Sequence, residues 1–239
     1  MSSGPIRARL SSMVKVSRDV TDLRFALETP PVLDFKPGQF VTFAVGKDDK
    51  NQPIRRSYSL AGLATRGHEL RMLVKLLPDG AAGEFFASLA ADTVVEMTGP
   101  HGFFVLDAVH EGDVVLAATG TGLAPILPML HDLAQRQEVG HRYVYWGLRG
   151  EDDLFLYDEL LALCEAAQAE LFVFLSQGSD AWTGLRGRIT IPILERLPLL
   201  KEPTFYMVGN GAMIRELKQE LMDRGINRKK QIRTEAFFD

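Results

Sequence analysis

Residues 113–128 read DVVLAATGTGLAPILP. The apolar run Val114–Ala118 leads into Gly120-Thr121-Gly122, and helix formers follow. A continuous apolar run, rather than an alternating one, is what a parallel strand covered on both faces requires. Glycines after such a strand let the backbone approach an anion closely. The helix that follows offers unpaired N–H groups and a partial positive charge. Pro125 fits the first helical turn, where a missing N–H costs nothing. GxGxxP at a strand-to-helix junction therefore reads as a dinucleotide pyrophosphate site, although the same spacing also serves a plain strand–helix turn.

Downstream the rhythm persists. RYVYWGL (142–148), ELFVFLSQ (170–177) and TFYMVGN (204–210) read as strands. APILPMLHDLAQRQ (124–137), DDLFLYDELLALCEAAQ (152–168), TIPILERLP (190–198) and AMIRELKQELMDRG (212–225) read as helices. Such alternation predicts a doubly wound parallel sheet, with ligands beyond the carboxyl ends of its strands. Those ends carry Gly147 and Arg149, then Ser176 and Gln177, then Gly209, Asn210 and Gly211 with Met213. One glycine at a strand end is usually only a turn. Several on one sheet edge point to a shared cleft.

Upstream the pattern is different. IRARL (6–10), MVKVSRDV (13–20), TDLRFALE (21–28), QFVTFAV (39–45), SYSLAG (57–62), ELRMLVKLL (69–77) and TVVEMTGP (93–100) are short runs, several of them alternating. Turn signals such as TPP, KPG, GKDDKNQP and PDG separate them. They predict a small antiparallel barrel, with one short helix at GEFFASLA (83–90). The expected division is a barrel domain over 1–106 and an α/β domain over 107–239, which suits a chain of 239 residues.

Composition narrows the function. Hydrophobic residues make up 46% and charged residues 24%, the profile of a globular chain. The net charge of −4 argues against a nucleic-acid partner. One cysteine, Cys164 in a helical stretch, forms no internal disulfide and cannot hold a thiolate-ligated iron–sulfur cluster. The five histidines show no metal-ligand spacing. No signal peptide or membrane-length apolar run is visible, so a cytoplasmic protein without a membrane partner is expected.

The stretch IRRSYSLA (54–61) is unusual for a strand in an acidic chain. Alternation puts Arg56 and Tyr58 on one side, Ser57 and Ser59 on the other. Arg56 can pair bidentately with a phosphate, Tyr58 can stack on a flat ring, and Ser59 can bond a heterocycle nitrogen. This set suits a large flat cofactor with a phosphate tail. An edge strand with solvated arginines would look the same.

RxYS on a barrel strand, then GTGxxP, then a GNGxM-type strand end resembles the ferredoxin–NADP reductase superfamily. Pro37-Gly38-Gln39, GPHGFF (99–104), YWGLR (145–149) and the ending EAFFD extend the likeness over nearly the whole chain, in the family's order. The resemblance implies a flavin-binding barrel followed by a nucleotide-binding α/β domain, with FAD and NAD(P)H as cofactors. It implies that Arg56 binds the flavin phosphate, Tyr58 packs on the isoalloxazine with Ser57 beside it, and Ser59 lies near flavin N5 as a catalytic group. Val74 and Lys75 would line the flavin, and Gly80, Ala82 and Gly83 would form its pyrophosphate loop. Gly120, Thr121, Gly122 and Pro125 would hold the nicotinamide nucleotide's pyrophosphate. Gly147, Arg149, Gly209, Asn210, Gly211 and Met213 would line the rest of that site. Glu235 would be a second catalytic group, orienting the nicotinamide or relaying a proton, and Phe237 would belong to a tail near the flavin.

Three departures stand out. Gly83 occupies a position where the family usually has Ser or Thr, which brings FMN or loosely held flavin into play. Val208 replaces a frequent Cys. Gln177 follows Ser176 where NADP-preferring members often carry Arg, which leans toward NADH. Arg149, Arg186 and Arg188 are near enough in sequence to restore NADP binding. The expected activity is hydride transfer from NAD(P)H to FAD, then electron delivery by a monomer to a separate ferredoxin, flavodoxin or oxygenase component. Reduction of free flavin, or a role as an electron-conducting subunit of a larger complex, are the alternatives. A short-chain-type dehydrogenase without flavin leaves the barrel half unexplained.

Overall fold

The computed structural model describes residues 4–63, 67–77 and 80–238, and the backbone alone at residue 238. The chain divides into two compact units, Met1–Val105 and Leu106–Asp239.

The first unit is a six-stranded antiparallel sheet of β1 (Ile6–Lys15), β2 (Val20–Thr29), β3 (Phe40–Lys47), β4 (Pro53–Ser59), β5 (Glu69–Lys75) and β6 (Val94–His101). Its order is β4-β3-β6-β1-β2-β5. The edge strands meet through the Leu60–Met72 bridge and the Ala61 N–H to Arg71 carbonyl bond of 2.8 Å, which closes the sheet into a barrel. Closure removes the exposed sheet edges that favour aggregation. Inward positions of alternating strands fill the interior: Ile6, Leu23, Phe25, Val41, Phe43, Leu70 and Met72 are fully buried.

The runs IRARL and MVKVSRDV prove to belong largely to one strand. β1 continues through Ser11 and Ser12 because a register shift between Leu10 and Ser12 absorbs the break in alternation. The turn lies instead between Lys15 and Val20. The helix α1 runs over Ala81–Ala87, starting two residues and ending three residues earlier than the sequence pattern indicates. Pro78 and Asp79 of the PDG turn lie outside the described residues.

The second unit is an all-parallel sheet of β7 (Val114–Thr119), β8 (Arg142–Leu148), β9 (Ala169–Leu175), β10 (Leu185–Arg186), β11 (Thr204–Asn210) and β12 (Ile232–Phe238), in the order β10-β9-β8-β7-β11-β12. The helices are α2 (Leu123–Ala134), α3 (Tyr157–Ala166), α4 (Thr190–Arg196), α5 (Gly211–Asp223) and the single turn α6 (Arg228–Gln231). Strand order reverses at β7, whose neighbours are β8 and β11. That reversal is the point where such sheets open a crevice at their carboxyl edge. At the opposite edge, buried Asp113 accepts the N–H groups of His141 and Lys201, both at 2.9 Å, and so pins the chain entering β7 and β8 and leading to β11.

Two strands escaped the sequence pattern. β10 is only two residues long. β12 takes in EAFF of the ending: it pairs in parallel with β11, with Glu235 opposite Val208 and Ala236 opposite Gly209. Among the described residues no helix is long and apolar enough to cross a membrane.

Candidate functional site

In the barrel unit, β4 pairs with β3 so that Arg56 lies opposite Phe43, Tyr58 opposite Val41, Ser57 opposite Thr42 and Ser59 opposite Phe40. Phe43 and Val41 are core residues, and Arg56 and Tyr58 share their face of the sheet, Tyr58 packed on the core and Arg56 reaching solvent. Tyr58 packs edge-on against Phe86 of α1, with centroids 5.4 Å apart, and against Phe43 at 6.0 Å. Burial pushes its phenol up to about 12, with the Arg56 charge working in the opposite direction. The ring is therefore a neutral, half-buried surface at physiological pH.

Arg56 is exposed, and its Nη1 donates to its neighbour's carbonyl, Arg55 O, at 2.9 Å. No carboxylate pairs with it among the described residues. A cation without a carboxylate partner beside an aromatic ring is the donor set a phosphate-tailed flat cofactor needs. The Ser57 and Thr42 hydroxyls share a hydrogen bond of 2.9 Å, so Ser57 is engaged within the sheet. Ser59 is buried and its hydroxyl makes no hydrogen bond among the described residues.

The Tyr58–Phe86 contact also brings α1 to β4. Gly80 is the helix N-cap and supplies no side-chain cap. The first-turn N–H groups therefore lack side-chain acceptors, as a diphosphate would require. Ala82 packs on the core. A Cβ on Gly83 would lie 2.3 Å from the Leu77 carbonyl oxygen. This is why the chain has no Ser or Thr there: the entering loop passes too close for any side chain. Val74 is a core residue, and Lys75 is exposed with its ammonium 3.5 Å from Asp19. The side chains of both are thus committed within the unit.

In the α/β unit, the chain leaves β7 through a 3-10 turn at Gly120–Gly122 and enters α2 with no side-chain cap. Gly120 sits at φ +54 with open space where a Cβ would be, whereas a Cβ on Gly122 would meet Val208 O at 2.8 Å. One glycine is there for backbone conformation and the other for close approach to β11. Thr121 and Pro125 are buried, and Pro125 lies in the first turn of α2. Pro128 follows inside the same helix.

Thr119 and Trp146, not singled out from the sequence, organise this turn. The Thr119 hydroxyl oxygen accepts the Asn210 N–H at 2.8 Å, and the Trp146 indole N–H donates to Gly120 O at 3.1 Å. Their signal was weak: a hydroxyl at the end of an apolar strand, and a tryptophan that reads as core. Gly147 packs beside Thr119, since a Cβ there would meet Thr119 Cγ2 at 3.4 Å. Asn210 caps α5 by accepting the Met213 N–H at 2.9 Å, and α5 begins at Gly211. The structure thus gathers Gly120, Thr121, Gly122, Gly147, Gly209, Asn210, Gly211 and Met213 at one sheet edge. Arg149 is exposed one residue beyond β8.

Glu235 stands on β12 beside this edge. It is half-buried and has no hydrogen-bond or ion-pair partner among the described residues, and burial holds its carboxyl above the ordinary glutamate range. Phe237 is half-buried, while Asp239 and the Phe238 side chain lie outside the described residues.

Comparison with known proteins agrees with this two-part architecture. The family model of an oxidoreductase FAD-binding domain matches residues 7–106, and that of an oxidoreductase NAD-binding domain matches residues 116–219. The reductase component of propane 2-monooxygenase from Mycolicibacterium smegmatis is 30% identical over 78% of this chain and 52% of its own length. Ferredoxin–NADP reductase B from Sorangium cellulosum is 28% identical over 80% of this chain and 78% of its own. The chain therefore spans about half the length of the first of these relatives. A cytochrome P450 reductase from Amycolatopsis superposes with a TM-score of 0.86 at 27% identity, over 99% of this chain and 70% of that one. Matches to an FAD-binding domain and then an NAD-binding domain follow one another along this chain, and the chain belongs to the ferredoxin–NADP reductase superfamily.

Proposed function

We propose that the chain is an FAD-dependent NAD(P)H oxidoreductase that takes hydride from the nicotinamide and passes electrons to a separate redox protein. The observation that carries this reading is the presence of both cofactor-binding domains, contiguous and in the family's order, in one chain. Bound FAD would supply the redox chemistry, taking up an electron pair and releasing electrons singly.

The chain's own residues supply binding and positioning. Arg56 would neutralise the flavin's phosphate, with the uncapped start of α1 offering backbone donors nearby. Tyr58 would give the flat ring a neutral surface braced by Phe86 and Phe43. Ser59, whose hydroxyl is uncommitted, would donate to the ring nitrogen that receives the hydride. The Gly120–Gly122 turn, tied to Asn210 through Thr119, would bind the dinucleotide's pyrophosphate. Glu235, which holds a proton more readily than an exposed glutamate, would orient the carboxamide or relay that proton. Such positioning is where the protein's share of the rate enhancement lies.

Relatives that are reductase components of oxygenase systems support a separate acceptor, in the class of ferredoxin, flavodoxin or an oxygenase component. In the same reading the chain works as a cytoplasmic monomer. Anaerobic stopped-flow mixing of the purified yellow protein with NADH and NADPH tests the whole. Rapid bleaching of the flavin followed by reoxidation by an added one-electron carrier is the expected result. A colourless chain that cannot be loaded with flavin overturns the reading. Bleaching that only free flavin can discharge would favour a flavin reductase.

A further inference from the structure

The carboxyl ends of β8 and β9 continue side by side beyond the strands. Ser176 N donates to Leu148 O at 3.0 Å and Gln177 N to Arg149 O at 2.7 Å. Past them, Glu151 reaches the loop that follows β9. One of its oxygens accepts the Ser179 N–H at 3.0 Å and the Ser179 O–H at 2.7 Å, and its other oxygen lies 3.3 Å from the same N–H.

The loop is also tied from within. Arg186 donates to the carbonyls of Gly178 at 2.8 Å, Ser179 at 2.6 Å and Trp182 at 2.8 Å. The indole N–H of Trp182 donates to Leu185 O at 3.0 Å. Arg188 is paired with Glu216 at 2.6 Å.

These commitments bear on which dinucleotide fits. In an open parallel sheet an acidic group that accepts from the ribose hydroxyls selects NAD, and an arginine near that point accommodates the extra phosphate of NADP. Of the three arginines near enough in sequence to do this, Arg186 and Arg188 are each spent on protein acceptors, and Arg149 stands exposed. Ser179, a hydroxyl that could have bonded a phosphate, donates its hydrogen bond to Glu151. Glu151 keeps acceptor capacity, since a carboxylate takes about four hydrogen bonds. A 2′-phosphate would bring a near-dianion to that carboxylate, whereas a free ribose diol brings two donors.

We infer that Glu151, held by Ser179, is the residue that makes this chain select NADH over NADPH. The inference rests on the nucleotide-binding role proposed above for the carboxyl edge of this sheet. Arg149, the exposed cation before Glu151, would then contribute equally to both coenzymes.

Isothermal titration of the oxidised flavin-loaded chain with NAD+ and with NADP+ reads the preference without turnover. NAD+ is expected to bind at least about tenfold more tightly, the span of one hydrogen bond to a charged group. Glu151→Gln should close most of that gap by strengthening NADP+. Ser179→Ala, which loosens the loop but keeps the carboxylate, should still favour NAD+. Equal or tighter binding of NADP+ by the unaltered chain overturns the inference, as does an unchanged ratio in Glu151→Gln. A selective loss of NADP+ binding in Arg149→Ala also overturns it. Binding of neither dinucleotide overturns the nucleotide-site reading itself and this inference with it.

Discussion

The hydroxyl oxygen of Thr119 accepts the backbone N–H of Asn210 at 2.8 Å, and so one side chain fixes the spacing between the ends of β7 and β11. Gly209 makes this possible. At φ +115 it takes a conformation that side-chain-bearing residues rarely adopt, and a Cβ there would lie 2.4 Å from Thr119 Oγ1 and 2.6 Å from Thr119 O.

Thr119→Val keeps the branched shape but leaves the Asn210 N–H without its acceptor. A loss of about 1–3 kcal/mol in unfolding free energy is expected, together with weaker NAD+ binding, whereas Thr119→Ser should retain most of both. Urea denaturation and calorimetric titration check this. A Thr119→Val chain as stable and as avid as the parent would show that the strand ends hold their spacing without the bond.

The Gly83 position tests whether a family habit can be restored. Because a Cβ would run into the Leu77 carbonyl at 2.3 Å, Gly83→Ser must displace backbone rather than add a phosphate ligand. Overpacking of this kind costs about 1–3 kcal/mol. The variant should retain less flavin through gel filtration than the parent, read from its visible absorbance. Tighter flavin retention would mean that the loop yields and that the hydroxyl is useful.

The two units were legible in the sequence for different reasons. Buried parallel strands such as Val114–Thr119 are unbroken apolar runs, and barrel strands alternate, so the change of period near residue 107 marked two architectures. The motif glycines were legible because Gly120 and Gly209 need backbone conformations that other residues avoid. What stayed hidden depends on chain crossings. β1 reads as two strands because a bulge at Leu10–Ser12 breaks its alternation. β12 reads as a tail because nothing in IRTEAFF announces that β11 lies beside it. Arg186 resembles a spare phosphate ligand until the carbonyls of Gly178, Ser179 and Trp182 are seen around it, and no spacing rule encodes a bond to a carbonyl.

A buried ion pair ties the edge strand β5 to its neighbour β2. Arg71 on β5 donates from Nε to both oxygens of Asp22 on β2, at 3.1 and 3.0 Å, and its Nη2 lies 2.8 Å from Oδ2. Both residues are less than a tenth exposed. Removing either partner breaks a buried pair, a loss of about 3–5 kcal/mol. Arg24, 3.7 Å from the same carboxylate, should soften Arg71→Met more than it softens Asp22→Leu. The double variant should cost less than the sum of the singles. Additive losses in a double-mutant cycle by urea denaturation would show that the two side chains do not act as a pair.

Glu235 offers a test that needs no cofactor. Its carboxyl is pushed up by burial with no opposing partner among the described residues, so the folded chain holds this proton more tightly than the unfolded chain does. The unfolded value is the ordinary one, about 4.3. Between that value and the raised folded value, the native state binds more protons, and by linkage stability must fall as pH rises through the window. Above the window the deficit is constant; below it the group contributes nothing. Glu235→Gln removes the ionisable group while keeping its shape, so the variant should be more stable than the parent at neutral pH. The difference should shrink as pH falls through the window toward the ordinary glutamate value. Unfolding free energies from urea titrations at a series of pH values supply the comparison. Parallel curves for the two chains would mean that Glu235 finds a partner in solution, and its assignment as a proton-holding group beside the nucleotide edge would fail with it.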